Sequence, residues 1–330
     1  MQHLTFWTHC DKLYFSTQQL VHQGRTQRTR EQTQQPAAAE VREVEEQKEL
    51  RHSTTRVCMY FAMQQLGYTI IPHYQQIIDR TGALCGYEVL GRVFDHQTQT
   101  MLMPDMFIPV LQARHLLAQF DLQIAQHAIA QLRAWGIPLS VNASPDLLTH
   151  EGFVRVLIDT LDNAPIPVGT LMLEIHETCT LPPTPDVRLA MYRLGQHGVR
   201  FAVDDFPTNR KDPDSVLDFL STTAARTLRF GALKLDKYSI TDTVPTENDC
   251  IATYITRAHE LGLRVIAEGV ETEQQHDTLF GLGVDAVQGF LHGKPEPAQH
   301  VFHITHPEAR IEKGSVNDAA LCLQQEAERA

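Results

Sequence analysis

The sequence predicts an α/β fold, a largely parallel sheet of eight strands suited to a (β/α)8 barrel. Between about Leu66 and Pro297, short apolar runs alternate with longer amphipathic stretches. That order is the mark of parallel strands joined by crossover helices. The runs are rich in Val, Ile and Leu and alternate only weakly, as strands buried on both faces do. Polar residues recur at the ends of these runs about every 30 residues, the length of a βα unit. The count of strands alone does not separate a closed barrel from an open sheet.

The strand candidates are Thr69–Gln75, Cys85–Val93, Leu139–Asn142, Thr170–Ile175, Arg200–Asp205, Ala232–Leu235, Arg264–Ala267 and Ala286–Phe290. Helices are expected between them, among them Met106–Trp135, Pro185–His197 and Cys250–Leu261. The barrel domain is placed at 66–300. Before it, residues 1–55 read as a polar extension. RTQRTREQTQQ (Arg25 to Gln35) has no apolar period, and Pro36 opens a thinly amphipathic helix, proline being suited to a first helical position. A second polar tail covers 306–330, with a short helix near Val316 to Arg329.

Composition excludes several classes. Twenty-eight Lys and Arg against 40 Asp and Glu give the 330 residues a net charge of −12. A duplex-DNA binder needs a clustered basic face. No window approaches the 18 or more apolar residues of a membrane span, and no signal-type segment opens the sequence. The six cysteines are scattered, with no C-x-x-C pair, which argues against a zinc site or disulfide framework and suits a reducing cytoplasm.

What ends each apolar run carries the functional information. LSVN ends at Asn142, LMLE at Glu174, and FAVDD at Asp204 and Asp205. LKLD carries Lys234 and Asp236, VIAEGVE carries Glu268 and Glu271, AVQG ends near Gln288, and GYEVLGR carries Glu88 and Arg92. The steps from Asn142 through Glu174, Asp204 and Lys234 to Glu268 are 32, 30, 30 and 34 residues. In a barrel this phase gathers the side chains at the carboxyl ends of the strands, the face where active sites lie.

Clustered carboxylates repel unless positive charge sits among them. Oxygen ligands without His or Cys suit Mg²⁺ or Mn²⁺. Adjacent Asp204 and Asp205 can serve two ions, an arrangement that fits displacement at phosphorus, with Lys234 orienting the water. Any single acid after a strand is equally well a helix cap. Glu88, inside an apolar strand, is harder to read that way, because buried carboxylates are rare unless paired. None of the 17 histidines shares the phase, so His73, His127 and His176 read as scattered residues.

These segments resemble one family. YEVLGR (Tyr87–Arg92) is similar to the signature of EAL domains, with Val89 in place of the usual alanine. HYQQIID, LSVNAS, LEIHET, AVDDF, LKLD, VIAEGVET and VQGF follow the family's order over about Gly67 to Pro297. The resemblance implies a modified (β/α)8 barrel with one reversed strand, commonly dimeric. It implies a bacterial phosphodiesterase that opens cyclic di-GMP to linear pGpG with two Mg²⁺ or Mn²⁺ ions. It further implies that Glu88, Asn142, Glu174 and Asp204 hold the first ion, and that Asp204 bridges to a second beside Asp205. Lys234 would position the water, Glu268 would act as base or ligand, and Gln288 would border the ions. Gln75, Leu90 and Arg92 would contact the substrate. Motility and biofilm control are the outputs such domains commonly serve.

One segment departs from the family. Where EAL domains usually run FGTGYSS, this chain reads FPTNRKDPDSV, Phe206 to Val216. Proline fixes φ and removes an amide donor. By resemblance this loop couples the ions to the dimer interface, and Glu271 anchors it. The departure supports an alternative: a weakly active or inactive EAL domain that binds cyclic di-GMP, or a protein partner at 206–216, as an effector. Lysine among barrel carboxylates also suits enolase-type proton abstraction with one Mg²⁺, a reading that leaves the paired aspartates unexplained.

Overall fold

The structure, a computed structural model, describes residues 67–176, 183–207, 212–236 and 250–305. The extension expected over 1–55 and the tail over 306–330 lie outside the described residues. In chain order the elements are β1 (Tyr68–Asp79), β2 (Leu84–Asp95), β3 (Thr100–Leu102), α1 (Pro104–Ala113), α2 (Leu117–Trp135), β4 (Leu139–Asn142), α3 (Pro145–Thr149), α4 (Glu151–Asn163) and β5 (Leu171–His176). They continue as α5 (Pro185–Gln196), β6 (Arg200–Phe206), α6 (Pro213–Ser221), α7 (Thr223–Arg226), β7 (Phe230–Leu235), α8 (Cys250–Glu260), β8 (Arg264–Ala267), α9 (Glu273–Leu282), β9 (Ala286–Val287), β10 (Glu296–Pro297) and α10 (Ala298–Thr305).

Strands β2 and β4 to β9 pair in sequence order, all parallel. Strand β1 runs antiparallel to β9, with Ile78 opposite Val287, and also pairs with β2. The sheet therefore closes into an eight-stranded (β/α) barrel with β1 reversed. A tight hairpin makes the reversal. Asp79 Oδ1 accepts the backbone N–H groups of Thr81 at 2.8 Å and Ala83 at 3.0 Å, and Gly82 takes φ +80°. This is the turn chemistry by which Asp and Gly replace ladder bonds.

The chain divides into two compact units. The larger comprises Pro72–Gly91 and Leu117–Glu296 and holds the barrel core. On the outer face of its strands, Val203, Leu233, Val265 and Val287 share one buried cluster with Leu217 of α6, Ile255 of α8 and Leu279 of α9. Inside the ring, Ile77, Ala202, Ala232, Ile266 and Ala286 form a second cluster. Small side chains suit this lumen, where several strands converge on one layer. Two glycines permit close approach. A Cβ on Gly91 would enter the Phe120 ring of α2, and one on Gly289 would collide with the Val270 backbone.

Of the described residues, the smaller unit holds 67–71, Arg92–Leu116 and 297–305. In it β2 turns back into β3, pairing Val93 with Leu102 and Asp95 with Thr100. Helix α1 buries Phe107, Val110 and Leu111.

The structure corrects three local expectations. The single helix expected over Met106–Trp135 is two, because His115 takes the left-handed conformation at φ +54° and interrupts the ladder between α1 and α2. The last strand stops at Val287 instead of Phe290, since the amides of His292 and Gly293 turn back onto the Gly289 carbonyl. Strand β3 was not expected, and it is only three residues long.

Candidate active site

Every parallel strand of the barrel contributes a polar side chain, at or just past its carboxyl end except on the longer β2, where Glu88 lies mid-strand. Glu88 comes from β2, Asn142 from the end of β4, Glu174 from β5 and Lys234 from β7. Asp204 and Asp205 come from β6, Glu268 follows β8, Gln288 follows β9, and the reversed β1 supplies Gln75. Residues two positions earlier on the same strands, Ala202, Ala232, Ile266 and Ala286, are the apolar lumen layer. Side chains two apart share a strand face, so one apolar layer underlies one polar layer.

Lys234 is the centre of the polar layer and is 1 % exposed. Its Nζ lies 2.7 Å from Glu174 Oε2, 3.1 Å from Asp204 Oδ1 and 3.5 Å from Glu88 Oε2. It also pairs with Glu268 Oε1. The 3.1 Å contact with Asp204 is an ion pair without hydrogen-bond alignment, and Asp204 Oδ1 has no hydrogen-bond partner among the described residues. Asparagine and glutamine organise Glu88. Asn142 Nδ2 donates to Glu88 Oε1 at 3.0 Å, and Gln288 Nε2 donates to Glu88 Oε2 at 2.6 Å. Gln288 Nε2 also reaches Gln75 Oε1 at 3.0 Å, and Gln75 Nε2 donates to the Gly293 carbonyl at 3.0 Å.

Four carboxylates around one ammonium leave a surplus of negative charge in a buried place, where water screens little. Protonation responds accordingly. Burial, reinforced by Asp204 and Glu88 and opposed by Lys234, pushes Glu268 up to about 8. Burial and the Glu88 charge hold Glu174 well above the carboxylate range, and burial also raises Asp204. Glu88 is the exception. Burial would raise it, but Lys234 and hydrogen bonds from Gln288, Glu174 and Asn142 hold it low. Burial would lower Lys234, but the surrounding carboxylates hold it well above its ordinary value. The surroundings thus favour the charged forms of Lys234 and Glu88 and the protonated forms of Glu174, Asp204 and Glu268.

Divalent cations would meet the same surplus. Asp204, Asp205 and Glu268 can each bring one oxygen within 4.8 Å of the others. An oxygen-only set of carboxylates fits a hard cation such as Mg²⁺ or Mn²⁺. At the mouth, Asp205 takes φ +55°, and its Oδ2 lies 3.1 Å from His176 Nε2, both side chains well exposed.

Of the expected site residues, Gln75, Glu88, Asn142, Glu174, Asp204, Lys234, Glu268 and Gln288 form one connected cluster, with Asp205 beside it. Leu90 is half-buried two positions beyond Glu88 on β2. Arg92 is buried and belongs to the smaller unit. Glu271 is exposed and gives its backbone N–H to Gln275 at 2.8 Å. Residues 208–211 of the segment it was expected to anchor lie outside the described residues. His176, read from the sequence as a scattered residue, sits at the site. The signal was present: it stands two positions after Glu174 on the same strand, in register with Asp204.

Fold and side-chain cluster together define a (β/α) barrel with a lysine-centred carboxylate site toward the carboxyl ends of its strands. The chain belongs to the EAL domain family, whose model matches residues 61–295. It is 27 % identical over 241 residues to MucR of Pseudomonas aeruginosa, a bifunctional diguanylate cyclase/cyclic di-GMP phosphodiesterase; the match covers 70 % of this chain and 34 % of MucR. It is 27 % identical over 226 residues to the cyclic di-GMP phosphodiesterase PdeL of Escherichia coli, covering 66 % of this chain and 60 % of PdeL. The chain thus spans only part of the length of these relatives. Among solved structures it is similar to the MucR phosphodiesterase in complex with c-di-GMP, with a TM-score of 0.60 and 26 % identity over 70 % of this chain and 99 % of that one.

Proposed function

We propose that this chain hydrolyses cyclic di-GMP to linear pGpG with the help of two Mg²⁺ or Mn²⁺ ions. The observation that carries the reading is the buried lysine with its ring of carboxylates, one side of which, Asp204, Asp205 and Glu268, converges within 4.8 Å. Glu88, Asn142, Glu174 and Asp204 would hold one ion, and Asp204 and Asp205 the other. The ions, when bound, would supply Lewis-acid polarisation of the phosphodiester and of the attacking water. Lys234 keeps Glu174, Asp204 and Glu268 convergent and directs the water. Glu268 takes the proton lost by that water as a P–O bond forms and the bond to the ribose oxygen breaks. That proton passes from Glu268 to the leaving oxygen, giving linear pGpG. Gln288 holds Glu88 in place, and Gln75, Leu90 and Arg92 contact the substrate. In this reading the catalytic domain is 66–300, between an extension at 1–55 and a tail at 306–330.

A second reading is favoured by FPTNRKDPDSV after Asp205, which lacks the glycines of the family's loop. In it the domain binds cyclic di-GMP, or a protein at 206–216, without turnover. Both readings concern bacterial cyclic di-GMP signalling in the cytoplasm, with homodimerisation and a motility or biofilm output as parts of the proposal. No helix among the described residues is long and apolar enough to cross a membrane.

The test is purified full-length chain incubated with cyclic di-GMP and Mg²⁺ or Mn²⁺, with products separated by chromatography and binding followed in Ca²⁺. The first reading expects pGpG, abolished by Asp204→Ala. Tight binding without product supports the second. Neither binding nor product removes both.

A further inference from the structure

One deeply buried carboxylate takes no part in the chemistry above. Asp121 sits on α2 and is 6 % exposed. Its Oδ2 accepts the backbone N–H of Ser144 at 2.9 Å, and among the described residues no ion pair reaches it. Ser144 stands two positions after Asn142, at the start of α3, where its own side chain caps the helix by accepting from Leu147 N. Between them, Ala143 gives its N–H to the Glu174 carbonyl at 2.9 Å. Two consecutive amides after Asn142 are therefore fixed, one by β5 and one by Asp121.

Asn142 needs such support. It is exposed, and its amide nitrogen donates to Glu88 at 3.0 Å. That bond commits the donor end of the amide, which leaves Oδ1 as its ligand atom. A side chain this open takes its direction from the backbone beneath it. A slip of the turn at Ser144 would swing Asn142 off Glu88 and move both of them as ligands.

We infer that Asp121 is a positioning residue for the cation site: by holding the Ser144 amide it fixes the turn that aims Asn142 at Glu88. The inference rests on the reading of Asn142 and Glu88 as cation ligands. Its cost is visible. A buried carboxylate with a neutral partner is expensive, and burial, opposed by the Ser144 bond, lifts Asp121 to about 7. An asparagine would accept the same N–H without that burden, and this sets the design of the test.

The experiment is calorimetric titration of Mn²⁺ into the full-length parent, Asp121→Ala, Asp121→Asn, Asn142→Ala and the Asp121→Ala/Asn142→Ala double variant, with thermal unfolding of each. Outer-shell partners of metal sites are worth about 10- to 100-fold in affinity. Asp121→Ala is expected to weaken Mn²⁺ by about that factor, Asp121→Asn to restore it, and Asp121→Ala to cost nothing further once Asn142 is gone. Should Asp121→Ala fail to fold, Asp121→Leu fills similar space without an acceptor and takes its place. A merely structural role would lower stability but leave Mn²⁺ affinity unmoved, or add its effect to that of Asn142→Ala. Either result overturns the inference while leaving the functional reading intact. A parent that binds no Mn²⁺ instead removes the functional reading, and the inference with it.

Discussion

Lys234 and Asp205 stand on neighbouring strands, yet one is sealed and the other open. Lys234 is 1 % exposed, with four carboxylates about its ammonium. Asp205 is well exposed, in the left-handed conformation, with His176 at 3.1 Å. The floor of the site is held by mutually paired buried charges. At the rim lie the exposed His176–Asp205 pair and Asn142, whose turn is bonded from beneath by Asp121 on Ser144. The difference teaches where substitutions should act. Changes to the floor should reach the stability of the whole barrel, and changes to the rim should reach ligands more than folding.

The largest effect is expected from Lys234→Met. Removing one partner of a buried ion pair leaves uncompensated charge and costs about 3–5 kcal/mol. Urea unfolding should show this loss, and Mg²⁺ or Mn²⁺ should recover more stability in the variant than in the parent. A variant as stable as the parent would mean that the carboxylates are not held by the lysine.

The next effect concerns pH. Burial raises Asp121 from an ordinary value of 3.8 to about 7, so the native state holds a proton that the unfolded chain releases. The resulting stability is fully present below the unfolded value and is lost as pH rises through about 7. It should decline by at most about 1.4 kcal/mol per pH unit across that window. Asp121→Asn should flatten this part of the profile, measured by denaturant unfolding from about pH 4 to about pH 8. An unchanged slope would place the titration elsewhere.

The smallest effect belongs to the rim. The His176–Asp205 pair is solvent-exposed, and such pairs are worth about 0–1 kcal/mol. His176→Ala should therefore change stability by less than about 1 kcal/mol. A larger loss in thermal unfolding would show that the rim is as tightly built as the floor.

Most of the polar ring was legible in the sequence because it is periodic. Side chains about 30 residues apart at the ends of apolar runs come together in a barrel, and Asn142, Glu174, Asp204, Lys234 and Glu268 do so; Glu88 and Gln288, outside that spacing, join them through their own strands. The reversal of β1 was not legible from periodicity, which carries no strand direction; it entered through family resemblance, and the Asp79 hairpin accounts for it. The break at His115 was missed because a non-glycine left-handed residue leaves no mark in composition. The early end of β9 was missed because Gly289 reads as a strand residue until Val270 is placed against it. His176 and Asp121 share one reason. The partner of each, Asp205 for His176 and Ser144 for Asp121, is known only once the fold is in place; His176 could have been read from its place two positions after Glu174 on β5, whereas a lone aspartate on a helix gives no periodic signal.

The central claim is that the surplus negative charge around Lys234 is met by protons alone and by divalent cations when these are present. Titrating Mn²⁺ into the parent and into Asp204→Ala near neutral pH, in buffers of different ionisation enthalpy, tests it most directly. The account predicts that Mn²⁺ binds the parent and drives protons off the site, and that Asp204→Ala loses both the binding and the proton release. Binding without proton release, or equal binding by the two proteins, would contradict it.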